Sequence, residues 1–189
     1  MYVQNAYNRE RREVLGRVPV RGVLELRDGT RVAVREIRAE DAPALRRLVG
    51  RSSERSIQLR FFGPLKELSE EEARRFAEVD GEDRFAVVAL DPEDEIVAVA
   101  RYERRQGSEE AEYAVLVEDG FQGRGLGSGL TLCLIEAAKE RGIERLHALV
   151  LRENRRMLRL LSSLGLPGRR RWENGLEHVE IDLRPGAAA

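Results

Sequence analysis

Phe121-Gln122-Gly123-Arg124-Gly125-Leu126-Gly127-Ser128-Gly129 is the stretch from which the rest of the chain is best read. It follows a strand-like run, Ala111–Val117, and opens a helical pattern that runs from about Gly125 to Arg141 and stops at Gly142. Glycines at such a junction permit positive φ and close approach to the backbone. The free N–H groups of the loop and first helical turn then converge on one spot, which suits an anion and above all a pyrophosphate. Arg124 adds charge, and Ser128 either donates to a phosphate or starts the helix. Two familiar phosphate loops are ruled out by spacing. A Walker loop ends in Gly-Lys-Ser/Thr, which is absent here. A dinucleotide fingerprint counted from Gly123 or Gly125 meets Ser128 or Leu130 where it needs glycine or alanine.

Outward from the loop, the periodicities predict a single mixed α/β domain in the order ββ-ααα-βββ-α-β-α-ββ. Its central sheet has about seven strands flanked by helices. Gly22–Leu26 and Arg31–Ile37 alternate around Asp28-Gly29, a hairpin cue. Helical spacing covers Glu40–Val49 and Ser53–Arg60, and the Ser69/Glu72 pair makes a capping box that opens a helix to about Val79. Phe85–Leu90 is apolar throughout, as a strand buried on both faces must be. Ile96–Glu103 follows as a strand. Beyond the long helix come a strand at Arg145–Leu151, a helix at Asn154–Leu164 and two strands around Asn174-Gly175. Parallel pairing is expected around the 125–141 helix. Residues 1–22 read as a polar arm, helical in part at Asn8–Leu15, residues 23–185 as the domain, and 186–189 as a tail.

Composition excludes several classes. Basic and acidic residues number 33 and 34, a formal net charge of −1, which disfavours a nucleic-acid partner. Arginine supplies all the basic residues except Lys66 and Lys139. One cysteine, Cys133, allows neither an internal disulfide nor a cysteine zinc site, and two histidines make no metal cluster, so no metal is expected. No apolar run approaches the ~20 residues of a membrane span. The opening residues are charged where a signal peptide is apolar. A cytoplasmic protein without a membrane partner is the expectation.

The spacing Gln122-Gly123-Arg124-Gly125-Leu126-Gly127 resembles the Gln/Arg-x-x-Gly-x-Gly/Ala motif of the GCN5-related N-acetyltransferases (GNAT). Arg35-Glu36-Ile37-Arg38-Ala39-Glu40-Asp41 is similar to that family's first strand and helix entry. Asn154 with Met157 and Leu158, and Leu164-Gly165-Leu166, are similar to its fifth-strand and fourth-helix segment. The likeness spans residues 30–184. Ser56-Ile57-Gln58-Leu59-Arg60-Phe61-Phe62-Gly63-Pro64 with Leu68-Ser69-Glu70-Glu71-Glu72 further resembles the acetyltransferase domain of bacterial Pat-type protein-lysine acetyltransferases. Their regulatory domains do not fit in a 22-residue arm.

The resemblance implies acetyl-CoA as co-substrate and direct transfer to an amine. The loop residues Gln122, Gly123, Arg124, Gly125, Leu126, Gly127 and Ser128 would hold the pyrophosphate. The backbone of Val115, Leu116 and Val117 would pair with the pantetheine arm like an added strand. An N–H near Leu116 would polarise the thioester carbonyl. Asn154 and Met157 belong to the coenzyme-facing helix, Asn154 serving either as a ligand or as an N-cap. Glu112, in the Ala-Glu segment matching the Pat-type catalytic glutamate, is the candidate general base, and desolvation on a half-buried strand would suit it to that work. Glu110 is its rival. Many family members place a tyrosine acid where this chain has Leu161. Cys133 reads as core and His147 as a structural histidine. Arg155-Arg156 and Arg169-Arg170-Arg171 read as solvated faces, with an acidic partner or the coenzyme 3′-phosphate as the alternative. The acceptor is read as a lysine of a cytoplasmic protein, with a small-molecule amine as the alternative, and a non-catalytic acyl-CoA sensor as a third reading.

Overall fold

The computed structural model describes residues 21–184. The helix expected at Asn8–Leu15, almost all of the arm and the 186–189 tail lie outside the described residues. The chain opens with a hairpin, β1 (Gly22–Glu25) and β2 (Arg31–Glu36). Three helices follow: α1 (Ala42–Arg51), α2 (Glu54–Phe61) and α3 (Glu70–Ala77). Next come β3 (Arg84–Leu90), β4 (Ile96–Arg104), β5 (Glu110–Val117), α4 (Leu126–Glu140), β6 (Arg145–Leu151), α5 (Arg155–Ser163), β7 (Gly168–Glu173) and β8 (Leu176–Asp182).

Local chemistry accounts for these elements. Ser69 accepts the Glu72 amide, and Glu72 returns a bond to the Ser69 amide, so the capping box forms as written. Ser53 caps α2 by accepting from the Ser56 amide. Asn174 and Gly175, both at positive φ, turn β7 into β8. Pro43 sits in the first turn of α1, so this helix starts at Ala42, later than the periodicity implied.

The sheet runs β1-β2-β3-β4-β5-β6-β8-β7. It has eight strands rather than about seven, because the four-residue β1 pairs with β2 along its whole length and joins the same sheet. Among these pairs β5 and β6 alone are parallel, with α4 between them in sequence. β3 is buried on both faces. Phe85, Val87 and Ala89 pack under α4 and α5 with Leu126, Leu130, Leu134 and Leu146. Ala86, Val88 and Leu90 pack under α1–α3 with Leu45, Leu48, Ile57 and Ile96. Each fully buried Leu, Ile or Phe contributes about 1.5–3 kcal/mol. Two apolar layers thus clamp the sheet centre, with α1–α3 covering residues of β3, β4 and β5 on one face.

The feature that positions the site is a failure of pairing. β5 and β6 are in register only from Glu110–Arg145 to Glu112–His147. β5 continues along β4 to Val117 and β6 continues along β8 to Leu151, so the two strands part. The parting leaves an open strand edge from Tyr113 onward.

Candidate active site

A cleft of about 830 Å³ opens where the strands part. β5 supplies Val115, Leu116 and Val117, the glycine loop supplies Gly123, Gly125, Gly127 and Ser128, and α5 supplies residues from Arg155 to Ser163. The loop is built to receive an anion. Gly123 and Gly125 have φ of +77° and +95°, conformations a side chain would strain. The amides of residues 123–128 donate to no protein acceptor among the described residues. Such consecutive free N–H groups at the start of a 15-residue helix form a nest for a phosphate. Gly127 gives close packing: a methyl group there would lie 3.1 Å from Leu160 Cδ1.

The loop is held from two sides. Gln122 Nε2 donates to the Val117 carbonyl at 2.8 Å and to Ser56 Oγ at 2.9 Å, and its Oε1 accepts from Arg156. Asp119 accepts from the Ser53 amide and hydroxyl and from the Ser56 hydroxyl at 2.8–2.9 Å, which ties the loop to the start of α2. Partial burial works to raise the Asp119 carboxyl, but the bonds from Ser53 and Ser56 outweigh it and hold it below the usual range.

The cationic lining differs from the expectation in one respect. Arg124 is paired with Asp28 at 3.0 Å, lies over the Phe121 ring, and is not among the residues lining the cleft. Arg27 lines it instead. Its amide donates to the Arg124 carbonyl at 3.0 Å, and its side chain lies against Gly125. Arg27 is a residue the sequence reading missed. Its signal, adjacency to the Asp28-Gly29 turn, says nothing of where the hairpin lands. Arg55, Arg155, Arg156 and Arg159 also line the cleft, so part of what reads as a solvated face borders the cavity. Asn154 is the N-cap of α5, its Oδ1 accepting from the Met157 amide at 3.1 Å, and the residue also borders the cleft. Leu126 is fully buried, so only its backbone can serve the loop.

Strand alternation decides which β5 groups face the cleft. The Glu118 amide donates to the Val97 carbonyl, so in the continuous β4–β5 register the Leu116 amide also turns to β4. The Val115 main chain turns the other way, toward the parting strands, and the Val117 carbonyl does the same, as its bond from Gln122 shows. The amide available near the expected thioester position is therefore that of Val115, while the Leu116 side chain packs in the α1–α3 core.

Glu112 lies in a smaller slot of about 40 Å³ beside the cleft. The two cavities share Leu59, Arg60, Val115, Asn154 and Met157, so they meet at Val115. Exposed Phe62 and Leu149, at 44% and 37%, wall the slot. Glu112 is exposed rather than half-buried. It has no hydrogen-bond or ion-pair partner among the described residues. Its rival Glu110 is committed: Arg145 Nε donates to it at 2.7 Å and His147 Nε2 lies 3.0 Å away. The Arg145 bond is the main reason its carboxyl sits below the ordinary range. His147 is thus a partnered histidine, and it lies directly opposite Glu112 in the β5–β6 register. Cys133 is buried in the core under α4, where burial pushes its thiol up to about 11. Leu161 is buried too, so the position of the family tyrosine faces the core. Trp172, by contrast, is 53% exposed at the sheet edge, with Arg152 over its ring.

Comparison with known proteins agrees with this geometry. The model of the acetyltransferase (GNAT) domain family matches residues 31–167, and the chain belongs to that family. It is 32% identical over 151 residues to the acetyltransferase PA5475 of Pseudomonas aeruginosa, covering 78% of this chain and 81% of that protein. It superimposes on the GNAT domain of Streptomyces lividans PAT with a TM-score of 0.81 at 34% identity, covering 87% of this chain and 98% of the other. It is also 37% identical over 113 residues to the acetyltransferase Pat of Mycolicibacterium smegmatis, covering 57% of this chain and 33% of that protein. The chain therefore aligns with only a third of that longer relative. The protein is a GNAT acetyltransferase whose acetyl donor is acetyl-CoA. The free loop amides, the arginine lining and the open β5 edge fit the donor's diphosphate and amide-bearing arm.

Proposed function

We propose that this enzyme acetylates a lysine side chain of a protein, with Glu112 as general base. The observation that carries the reading is the slot. A carboxylate with no partner of its own stands beside apolar walls, Phe62 and Leu149, and the slot opens onto the donor cleft at Val115. Apolar walls suit the four methylenes of a lysine stem, and the carboxylate suits its ammonium. The slot lies between the end of α2 and β6, where exposed Phe62 and Leu149 leave it accessible to a protein surface. Acetyl-CoA supplies a thioester, an acyl group activated toward amines. Glu112 takes the amine proton, directly or through one water, so that the nitrogen lone pair is free to form the new C–N bond as the C–S bond breaks. The Val115 amide donates to the acyl oxygen as negative charge develops there. With leucine at 161, no tyrosine acid serves the departing thiolate, which is protonated from Glu112 or solvent. Gln122, Asn154 and Met157 keep the cleft walls in place, and the 123–128 amides bind the diphosphate. Residues 23–185 form the catalytic domain, between an arm and a tail, and the enzyme works in the cytoplasm.

The test combines purified enzyme, labelled acetyl-CoA and cell extract. Label should enter proteins other than the enzyme. Glu112→Gln should lower that rate about 100-fold or more while acetyl-CoA still binds. Label confined to small molecules would replace the lysine reading with a small-amine acceptor, and undiminished activity in Glu112→Gln would remove Glu112 from its role. Absence of any transfer with intact acetyl-CoA binding would favour a sensor.

A further inference from the structure

Two arginines stand beside the acceptor slot, and Glu112 does not neutralise both. Arg60 lines the slot and the donor cleft. Among the described residues its guanidinium makes no hydrogen bond and no ion pair within contact distance; it lies over the ring of Phe61 at 4.8 Å and feels the Glu112 and Glu103 carboxylates at longer range. Arg101, opposite Ala114 of the slot in the β4–β5 register, is 6% exposed and lies over Phe76 at 4.6 Å. Its Nε and Nη2 make no hydrogen bond; Nη2 has the Glu103 carboxylate 3.3 Å away as an ion-pair partner, which leaves the Nε donor without a polar partner, a costly state when buried. Burial, with Arg60, Arg84 and Arg75 nearby, brings its guanidinium down to about 10 against the opposing pull of Glu103. Glu103 lies 3.3 Å from Arg101 and directly opposite Glu112.

The charges can be paired off. Glu103 goes with Arg101. When an acceptor ammonium enters the slot, it takes Glu112. Arg60 then keeps as counter-charge only the more distant Glu103, which already pairs with Arg101. An anion is needed there. The diphosphate belongs to the loop amides, and a slot of about 40 Å³ suits a carboxylate rather than a nucleotide.

We propose that Arg60, backed by Arg101, binds a carboxylate of the acceptor, so that the preferred substrate is a lysine with an acidic side chain next to it. This inference rests on the lysine reading above. The test uses three peptides, each with one lysine, differing only in whether the flanking residues are Asp, Ala or Arg. The Asp-flanked peptide should give kcat/KM at least tenfold above the Ala-flanked one, with the Arg-flanked peptide lowest. Arg60→Met should shrink the Asp-to-Ala ratio to within twofold and Arg60→Lys should keep part of it, the ratio being taken at saturating acetyl-CoA so that any change in donor affinity cancels. Arg60→Gln reads the same ratio if Arg60→Met does not fold. Equal rates on all three peptides, or a ratio that survives loss of Arg60, would overturn the inference and leave the lysine reading standing. No acetylation of any peptide, with turnover of spermidine, would bring down both.

Discussion

A methyl group at Gly125 would lie 3.7 Å from Arg27, which is ordinary contact, so space is not what requires glycine there. The φ of +95° is. An L-residue in that conformation costs about 1–2 kcal/mol, and for a domain of this size that is roughly 2–8 °C in Tm. Gly125→Ala should therefore lower Tm by that amount in a thermal melt. It should also weaken acetyl-CoA binding about tenfold by calorimetry, because relief of the strain turns the 123–128 amides off their common focus. At this scale much was legible: the glycine spacing identifies the loop with its free amides, and Asn154 borders the cleft while Glu112 lines the slot beside it. Arg124 was not legible in the same way. Its charge is spent on Asp28, a residue brought to it by a hairpin far earlier in the chain.

α2 is the element whose placement matters most to the acceptor side. It carries Leu59 and Arg60, and Phe62 follows it at a φ of +62°. Its start is fixed by Asp119, which accepts three hydrogen bonds from Ser53 and Ser56. Asp119→Ala removes that tie. It should cost about 1 kcal/mol, as loss of a helix cap does, and should lower kcat/KM for the acceptor more than it changes acetyl-CoA affinity. Stability from denaturant melts and kinetics on the same protein check both halves. Helix and strand identities were readable from periodicity and caps, and the parallel pairing around α4 was anticipated. The point at which β5 and β6 part was not. Nothing in Tyr113–Val117 distinguishes a strand edge that loses its neighbour from one that keeps it, because the same side chains satisfy β4 on one edge in either case.

For the whole molecule, acid stability follows from how arginines hold carboxylates. Burial works to raise the Asp41 carboxyl, but the two-pronged bond from Arg35 at 2.7 and 2.8 Å and the Arg38 amide outweigh it. Glu95 is lowered chiefly by the bond from Arg47 and, against opposing desolvation, also by Arg51. Both folded values lie below the unfolded ones. Their stabilisation is therefore present above the unfolded carboxylate range, about pH 4, and is lost as pH falls through the lower folded values. Tm should be flat from pH 7 to 5 and fall below pH 4, and Asp41→Asn should show a lower Tm at pH 7 with a shallower acid limb. Tm measured across pH 7–3 decides it. An acid limb as steep in Asp41→Asn as in the parent would remove Asp41 from the account.

By itself the sequence determined the elements, the glycine nest, the two-faced core strand β3 and the family, since each depends on residues close together in the chain or on a fixed spacing. The tertiary structure decided which strand edge opens, which arginines line the cleft, that Val115 rather than Leu116 turns its amide to the cleft, and that Glu110 is spent on Arg145 and His147 while Glu112 is free. These are outcomes of competition for partners between segments far apart in sequence. Charge–charge and hydrogen-bond choices of that kind are settled only when the sheet brings the rivals within a few ångströms of one another.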